Sequence, residues 1–189
     1  MESASVLEPL TAFGQSLPLT VSIGPFTITE RTDTALASVA VRKGRAQDLA
    51  KAAKDAGLPL PGPACAETSA PLSAFWMTPE MWMVEAPQAS HSDIAADLKR
   101  VLGDCASITE QTGAWVRLDI SAPDLAPLTE RMTNLDLASK PTGFASRTVI
   151  DHLGVYLIKH SDSLITLYGP RASAQSLLHA LEVTAHSVI

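Results

Sequence analysis

The chain has 189 residues, of which 46% are hydrophobic and 18% charged, a composition that supports a folded core and excludes a disordered chain. Its formal net charge of −6 argues against a nucleic-acid-binding protein, because such proteins present a basic face to phosphates. It lacks a membrane-spanning apolar stretch and a signal-peptide pattern, and its two cysteines lack the CxxC spacing of a zinc site, so we expect a cytoplasmic protein without a membrane partner.

The N-terminal part of the sequence predicts an arm over residues 1–17, followed by a single pseudo-duplicated domain over residues 18–189. Leu19–Glu30 alternates partly and contains Gly24–Pro25, which predicts two short strands joined by a turn. The β-branched and small residues of Thr34–Arg42 predict a buried strand.

An alanine-rich helix is predicted next, over Ala46–Ala56. Gly57 stands where a left-handed C-terminal cap would lie, and one apolar face of the helix contains Leu49, Ala52, Ala53 and Ala56. The proline-rich residues 58–72 predict an exposed irregular loop.

Ser73–Pro79 and Met81–Ala86 predict a hairpin with a conspicuous concentration of large side chains. They are Phe75, Trp76, Met77, Met81, Trp82 and Met83, in a chain with three Trp and five Met in all. One interpretation is a hairpin buried on both faces, between the sheet and its helices. The other is a partner-docking face, because Trp and Met are enriched where proteins bury surface against each other.

The remaining elements complete a pattern of strands and helices. A helix is predicted over Ser92–Leu102, then a second hairpin from Ser107–Gln111 and Ala114–Ser121, then a helix near Asp124–Thr133 with Pro127 in its first turn. The C-terminal elements are predicted as three strands and a closing helix, over Phe144–Asp151, Val155–His160, Ser163–Tyr168 and Ala172–Ala185.

The two halves of the domain repeat one pattern of strand, helix, hairpin and helix. Repeat one covers about residues 34–105 and repeat two about residues 106–189. This duplication predicts an α+β fold with a mostly antiparallel sheet, built from two split β-α-β (ferredoxin-like) repeats packed as one domain.

Familiar catalytic motifs are missing from the sequence, which has no GxGxxG, GxxxxGK[ST], HExxH or GxSxG pattern. Asp151–His152 is better explained as a turn than as an acid–base pair, and His179 and His186 are two helical turns apart, too far to share one metal. The short basic group Arg42–Arg45 is better explained as a solvated turn than as a phosphate site. We therefore predict no catalytic, cofactor-binding or metal-binding residues in this chain.

The sequence nevertheless carries a family pattern, which covers most of the chain from about residue 10 and is strongest from residue 106 onward. It resembles the gamma subunit of heterotetrameric bacterial sarcosine oxidase: a strand leads into a helix, a closing Leu-Asp-Leu, an Arg-Thr strand, a Leu-Gly turn with its strand, and a final helix. The matching pieces are Trp76–Pro87, Val116–Pro123, Asn134–Leu137, Arg147–Val149, Leu153–Ile158 and Arg171–Leu181.

This resemblance implies a fold similar to the folate-binding domain of aminomethyltransferases. It also implies that the chain is a small, non-catalytic partner of alpha, beta and delta subunits, which hold FAD, FMN, NAD, tetrahydrofolate and zinc. Such a complex oxidatively demethylates sarcosine to glycine and passes the one-carbon unit to tetrahydrofolate.

Two alternatives stay open at this point. Ala122 and Asn134 depart from the family pattern, which leaves room for a subunit of a related N-methyl amino acid dehydrogenase. A stand-alone folate-binding module is the other alternative. It requires an open central channel and a carboxylate such as Asp119 or Asp136, but the sequence singles out neither.

Overall fold

The computed structural model describes residues 9–189; the first eight residues of the predicted arm lie outside this range. Within it, eleven β-strands form two sheets and four α-helices pack on them, and no helix is long and apolar enough to cross a membrane. The strands are β1 (Thr20–Ile23), β2 (Phe26–Arg31), β3 (Thr34–Val41), β4 (Ala66–Thr68), β5 (Ser73–Thr78), β6 (Met81–Pro87), β7 (Ala106–Glu110), β8 (Trp115–Ser121), β9 (Ala145–Ile150), β10 (Leu153–Ser161) and β11 (Leu164–Pro170). The helices are α1 (Ala46–Asp55), α2 (Ile94–Leu102), α3 (Ala126–Met132) and α4 (Ala174–His186).

The two sheets have matching strand orders. Sheet I runs β4-β5-β6-β3-β7, and sheet II runs β9-β10-β11-β8-β2-β1, with every neighbouring pair antiparallel. Five strands therefore correspond one to one, and β1 is an additional strand on the outer edge of sheet II. The predicted α+β class is confirmed.

One predicted hairpin is wrong. The segments Ser107–Gln111 and Ala114–Ser121 do not pair with each other, because β7 pairs with β3 in sheet I and β8 pairs with β2 and β11 in sheet II. Residues 111–114 form a crossing between the sheets, and the Thr112 hydroxyl accepts a hydrogen bond from the Leu36 N–H at 2.9 Å. Thus β7, which we had assigned to repeat two, completes the sheet of repeat one, and the N-terminal β2 completes the other sheet.

The layers stack in the order helix, sheet, sheet, helix. Helices α1 and α2 cover sheet I, and α3 and α4 cover sheet II, each over its own apolar cluster. A third cluster lies between the sheets and contains Leu36, Phe75, Met83, Ala145, Tyr156, Ile158 and Tyr168. Burying one aromatic side chain such as Phe75 contributes about 1.5–3 kcal/mol, so this third cluster is a substantial part of what holds the two sheets together.

Alternation along β8 determines what enters the space between the sheets. Val116, Leu118 and Ile120 are buried in the helix-facing cluster of sheet II. Because side chains alternate along a strand, Arg117 and Asp119 point to the opposite face, toward sheet I. A charged pair, with about a fifth or less of its surface exposed, is therefore placed in the space between the sheets.

Candidate functional site

The aromatic and methionine hairpin, formed by β5 and β6, is packed on both faces. Phe75 and Met83 are buried between the sheets, with 1% and 0% of their surface exposed. Trp82 packs against the helix-facing cluster of sheet I, and its indole N–H donates to the Pro61 carbonyl at 2.8 Å. Trp76, Met77 and Met81 are half-buried. Partner contact therefore stays a prediction for the three half-buried side chains and Trp82, while Phe75 and Met83 pack inside the chain.

A partly buried polar cluster lies between the sheets beside this hairpin. The Tyr168 hydroxyl on β11 donates to Glu85 Oε1 on β6 at 2.9 Å. The Arg117 guanidinium lies 3.9 Å from Glu85 Oε2, and donates to Asp119 Oδ1 at 3.1 Å and to the Thr34 hydroxyl at 3.0 Å. These contacts join β3 and β6 of sheet I to β8 and β11 of sheet II, so one guanidinium bridges the two sheets.

A chain of hydrogen bonds extends the cluster toward β10. The Thr166 hydroxyl donates to Asp119 Oδ1 at 2.6 Å, and it lies 2.8 Å from His160 Nε2. Because Thr166 has a single hydroxyl hydrogen and the carboxylate only accepts, the His160 Nε2–H must be the donor to Thr166. His160 is therefore held in one tautomer, with Nδ1 as the remaining acceptor.

Burial and neighbouring charges shift the ionisation of this cluster. Burial raises the pKa of Glu85, and Arg117 and the Tyr168 hydrogen bond oppose that rise. Burial also raises the pKa of Tyr168, with Glu85 adding to the effect. Burial disfavours the charge on Arg117, but the oxygens of Tyr168, Asp119 and Glu85 outweigh it and raise the Arg117 pKa above its ordinary value. The pKa of His160 is lowered by burial and by Arg117.

Aromatic rings fill the centre of the space between the sheets. Phe75 stacks on Tyr168 at a centroid distance of 5.5 Å and lies at the same distance from Tyr156, which in turn contacts Trp115 edge to face. The Arg117 guanidinium lies 5.9 Å from the centroid of the Tyr168 ring. These rings and the guanidinium occupy the centre of the space between the sheets.

Cavities remain on either side of this packed centre. One, of about 470 Å³, is lined by Arg117, Tyr168 and Trp115 together with residues of the Pro9–Pro18 segment. Another, of about 430 Å³, is lined by Phe75, Glu85 and His160. The polar cluster borders this space, and Arg117, Glu85 and Asp119 keep 20%, 16% and 15% of their side-chain surface exposed.

The residues that we weighed from the sequence lie apart from one another. Asp119 belongs to the polar cluster, whereas Asp136 lies in an exposed loop, where its hydrogen bonds to Ser139 lower its pKa. Asp151 and His152 form the turn between β9 and β10, as predicted, with φ of 44° and 70°. His179 and His186 are exposed on α4. No three His, Cys, Asp or Glu side chains within residues 9–189 converge to hold a metal ion.

The structure brings together residues that our sequence analysis missed, namely Glu85, Arg117, Tyr168, Thr166 and His160. A signal for two of them was present in the sequence. Glu85 interrupts the apolar strand MWMVEAP, and Arg117 stands two residues before Asp119, so the two must share one face of a strand. Their partners come from strands far along the chain, which no local pattern could indicate.

Comparison with solved structures identifies the fold. The chain is similar to a chain of heterotetrameric sarcosine oxidase from Corynebacterium sp. U-96, solved in complex with pyrrole 2-carboxylate, with a TM-score of 0.77 and 16% identity. The match covers 89% of this chain and 88% of that one. The fold is that of this sarcosine oxidase chain.

The chain is also similar to the glycine cleavage system aminomethyltransferase T from Bartonella henselae. The TM-score is 0.60 at 16% identity, and the match covers 80% of this chain and 44% of the aminomethyltransferase, so the chain spans less than half of that enzyme. These two matches confirm the predicted fold resemblance. No protein-family profile matches the sequence, and no curated protein matches it.

Proposed function

We propose that the chain is a small structural subunit of a heteromeric flavoenzyme of the sarcosine oxidase type. The observation that carries this proposal is the match to one sarcosine oxidase chain over nearly the full length of both chains. A match of this extent fits a subunit of equal size better than a module cut from a larger enzyme. On this proposal the gamma-like chain works with alpha, beta and delta subunits in the oxidative demethylation of sarcosine or a related N-methyl amino acid.

The packed centre supports a structural role over a catalytic one. Phe75, Tyr156 and Tyr168 occupy the space between the sheets, and Arg117 ties the sheets together. FAD, FMN, NAD, tetrahydrofolate and zinc would then be held by the partner subunits. The half-buried side chains of the hairpin, Trp76 and Met81, are available for contact with a partner.

Association with the large subunits is the direct test. Co-expressed with the alpha, beta and delta subunits of a sarcosine oxidase-type complex from the same genome, the chain should co-elute with them in size-exclusion chromatography at micromolar concentration. Proteins that assemble through interfaces of the usual size remain associated at this concentration. Elution of the chain as a separate species would refute the proposal.

Folate binding is the second candidate function. The cavity beside Arg117, Tyr168 and Trp115 favours this function, because the cavity offers aromatic rings and a guanidinium around a volume of about 470 Å³. The centre of the fold does not suit a pterin ring, since aromatic side chains fill it and Asp119 already accepts hydrogen bonds from Arg117 and Thr166. Calorimetric titration with tetrahydrofolate should therefore give no binding heat. Saturable heat that disappears in Trp115→Ala would establish the second function instead.

A further inference from the structure

The two matching sheets differ at one edge. In sheet II the strand β2 is covered on its outer side by β1, with pairs from Thr20↔Thr29 to Ile23↔Phe26. Its counterpart in sheet I is β7, which among the residues that the structure describes is the last strand of its sheet and pairs with β3 alone. Within residues 9–189, sheet I thus lacks, at the corresponding position, a strand that sheet II has.

Backbone groups of β7 point outward from this edge. The Cys105 carbonyl accepts from the Arg42 N–H, and the Gln111 N–H donates to the Leu36 carbonyl, so the odd-numbered residues of this stretch bond to β3. In an antiparallel ladder the bonding direction alternates from residue to residue. The N–H and C=O groups of Ile108 and Glu110 therefore point away from β3, and within residues 9–189 they have no backbone partner.

Most of the usual protections of an edge strand are missing from β7. Natural edges are blocked by proline, lysine or a bulge, because an open edge pairs with other chains. β7 has the sequence ASITE, with no proline or lysine and with Glu110 at its end as its one charged residue, and its register with β3 has no irregularity. The opposite edge of sheet I differs, because β4 is tied to sheet II by the bridge between Cys65 and Phe144.

We propose that an extended segment of an assembly partner adds an antiparallel strand to the outer edge of β7, as β1 does to β2. This inference rests on the proposed function, since it takes the partner subunits as given. Ala106 and Ile108 pack in the helix-facing cluster of sheet I, whereas Ser107 and Thr109 are exposed on the other face. The added segment should therefore be four or five residues long, the lengths of β1 and β7, and should alternate apolar with small polar side chains.

Replacing Ile108 by proline tests the edge without breaking the fold. The Ile108 N–H points outward, so proline removes a donor for the added strand but no bond to β3. We expect Ile108→Pro to keep the melting temperature of the isolated chain within a few degrees and to weaken association with the partner subunits at least about ten-fold. Hydrogen exchange of the Ile108 and Glu110 amides in the wild-type complex should slow at least about 100-fold relative to the free chain.

Two variants serve as controls. Ile108→Thr keeps the N–H and should associate as the wild type does. Val149→Pro places the same ring on β9, the outer strand of sheet II. The Phe144 carbonyl accepts a hydrogen bond from the Lys159 N–H on β10, so the even-numbered residues of β9 bond to β10 and the Val149 N–H points away from it. Val149 is 58% exposed, and Val149→Pro should leave association unchanged.

Several results would overturn this inference. Normal association of Ile108→Pro, equal loss in Val149→Pro, or unprotected amides in the complex would show that the edge is not used. A dimer of the isolated chain that Ile108→Pro abolishes would show that a second copy, not a partner subunit, occupies the edge. If the wild-type chain does not associate at all, the proposed function fails and this inference falls with it; association of both wild type and Ile108→Pro refutes only the edge.

Discussion

Replacing Arg117 by methionine should lower the free energy of unfolding by about 3 kcal/mol at pH 7. Removing one partner of a buried ion pair typically costs about 3–5 kcal/mol, because the other charge is left uncompensated. The lower end applies here, because 20% of the Arg117 side chain is exposed. The variant leaves Glu85 without the cation that faces it and leaves Asp119 only the longer ion-pair contact to Arg31 at 3.6 Å, and it also removes the hydrogen bond to Thr34 that joins the two sheets.

The loss in Arg117→Met should depend on pH in a defined direction. Burial already raises the folded-state pKa of Glu85 above its ordinary value of 4.5, and Arg117 opposes that rise. Without Arg117 the pKa rises further, so the folded state binds this proton more tightly than the unfolded state does. Stability of the variant then falls as pH increases through the raised pKa. The difference in the free energy of unfolding between wild type and variant should be smallest near pH 4.5 and should reach its full size above the raised pKa.

Urea denaturation at several pH values between 4.5 and 8 measures both effects. Arg100→Met is the matched control, because Arg100 on α2 is paired with Asp97 but 75% exposed. An exposed pair of this kind contributes little, so the control should change stability by less than about 0.5 kcal/mol at every pH. A loss in Arg117→Met below about 1 kcal/mol, or a gap that does not change with pH, would contradict the bridging role of Arg117.

The contrast between α2 and β7 explains which parts of the fold could be predicted from the sequence. The α2 helix is determined locally: its apolar residues repeat at helical spacing, the Asp93 carboxylate caps its first turn, and Gly103 ends it. The partner of β7 is not determined locally. Gly113 marks a turn in the sequence whether the chain folds back as a hairpin or crosses to another sheet, and the pairing of β7 with β3 depends on residues about 70 positions earlier.

The polar cluster shows the same limit at the level of side chains. The alternation on β8 was sufficient to place Arg117 and Asp119 on one face. Nothing local indicates that Tyr168 meets Glu85, which lies 83 residues away in sequence, because that contact exists only when the two sheets face each other. The duplication predicted the two units, but the space between them, where the cluster lies, is a property of their packing.

Lys159 is a second charged side chain whose role became visible only in the structure, and its removal should also be costly. Its side chain is 6% exposed, and its ammonium donates to the carbonyls of Leu137 and Lys140, both at 2.8 Å, and contacts Asp162 at 2.7 Å. These bonds hold the loop before β9 against β10. At the end of that loop the Gly143 carbonyl accepts the Ala66 N–H of sheet I, so the lysine supports a connection between the sheets.

Lys159→Met should lower the free energy of unfolding by about 2–4 kcal/mol. The substitution leaves two carbonyl oxygens without a donor, and each buried unsatisfied group costs about 1–3 kcal/mol.

Lys99→Met is a close control. The Lys99 ammonium also bonds a carbonyl, that of Gly103 at 2.7 Å, and a carboxylate, that of Asp104 at 2.9 Å, but 47% of the Lys99 side chain is exposed. Water can replace those contacts, so the control should lose less than about 1 kcal/mol. Equal losses in the two variants, measured by urea denaturation, would mean that burial is not what makes Lys159 important. A larger loss in Lys159→Met, with faster exchange of the Ala66 amide, would show that this lysine stabilises the junction of the two sheets.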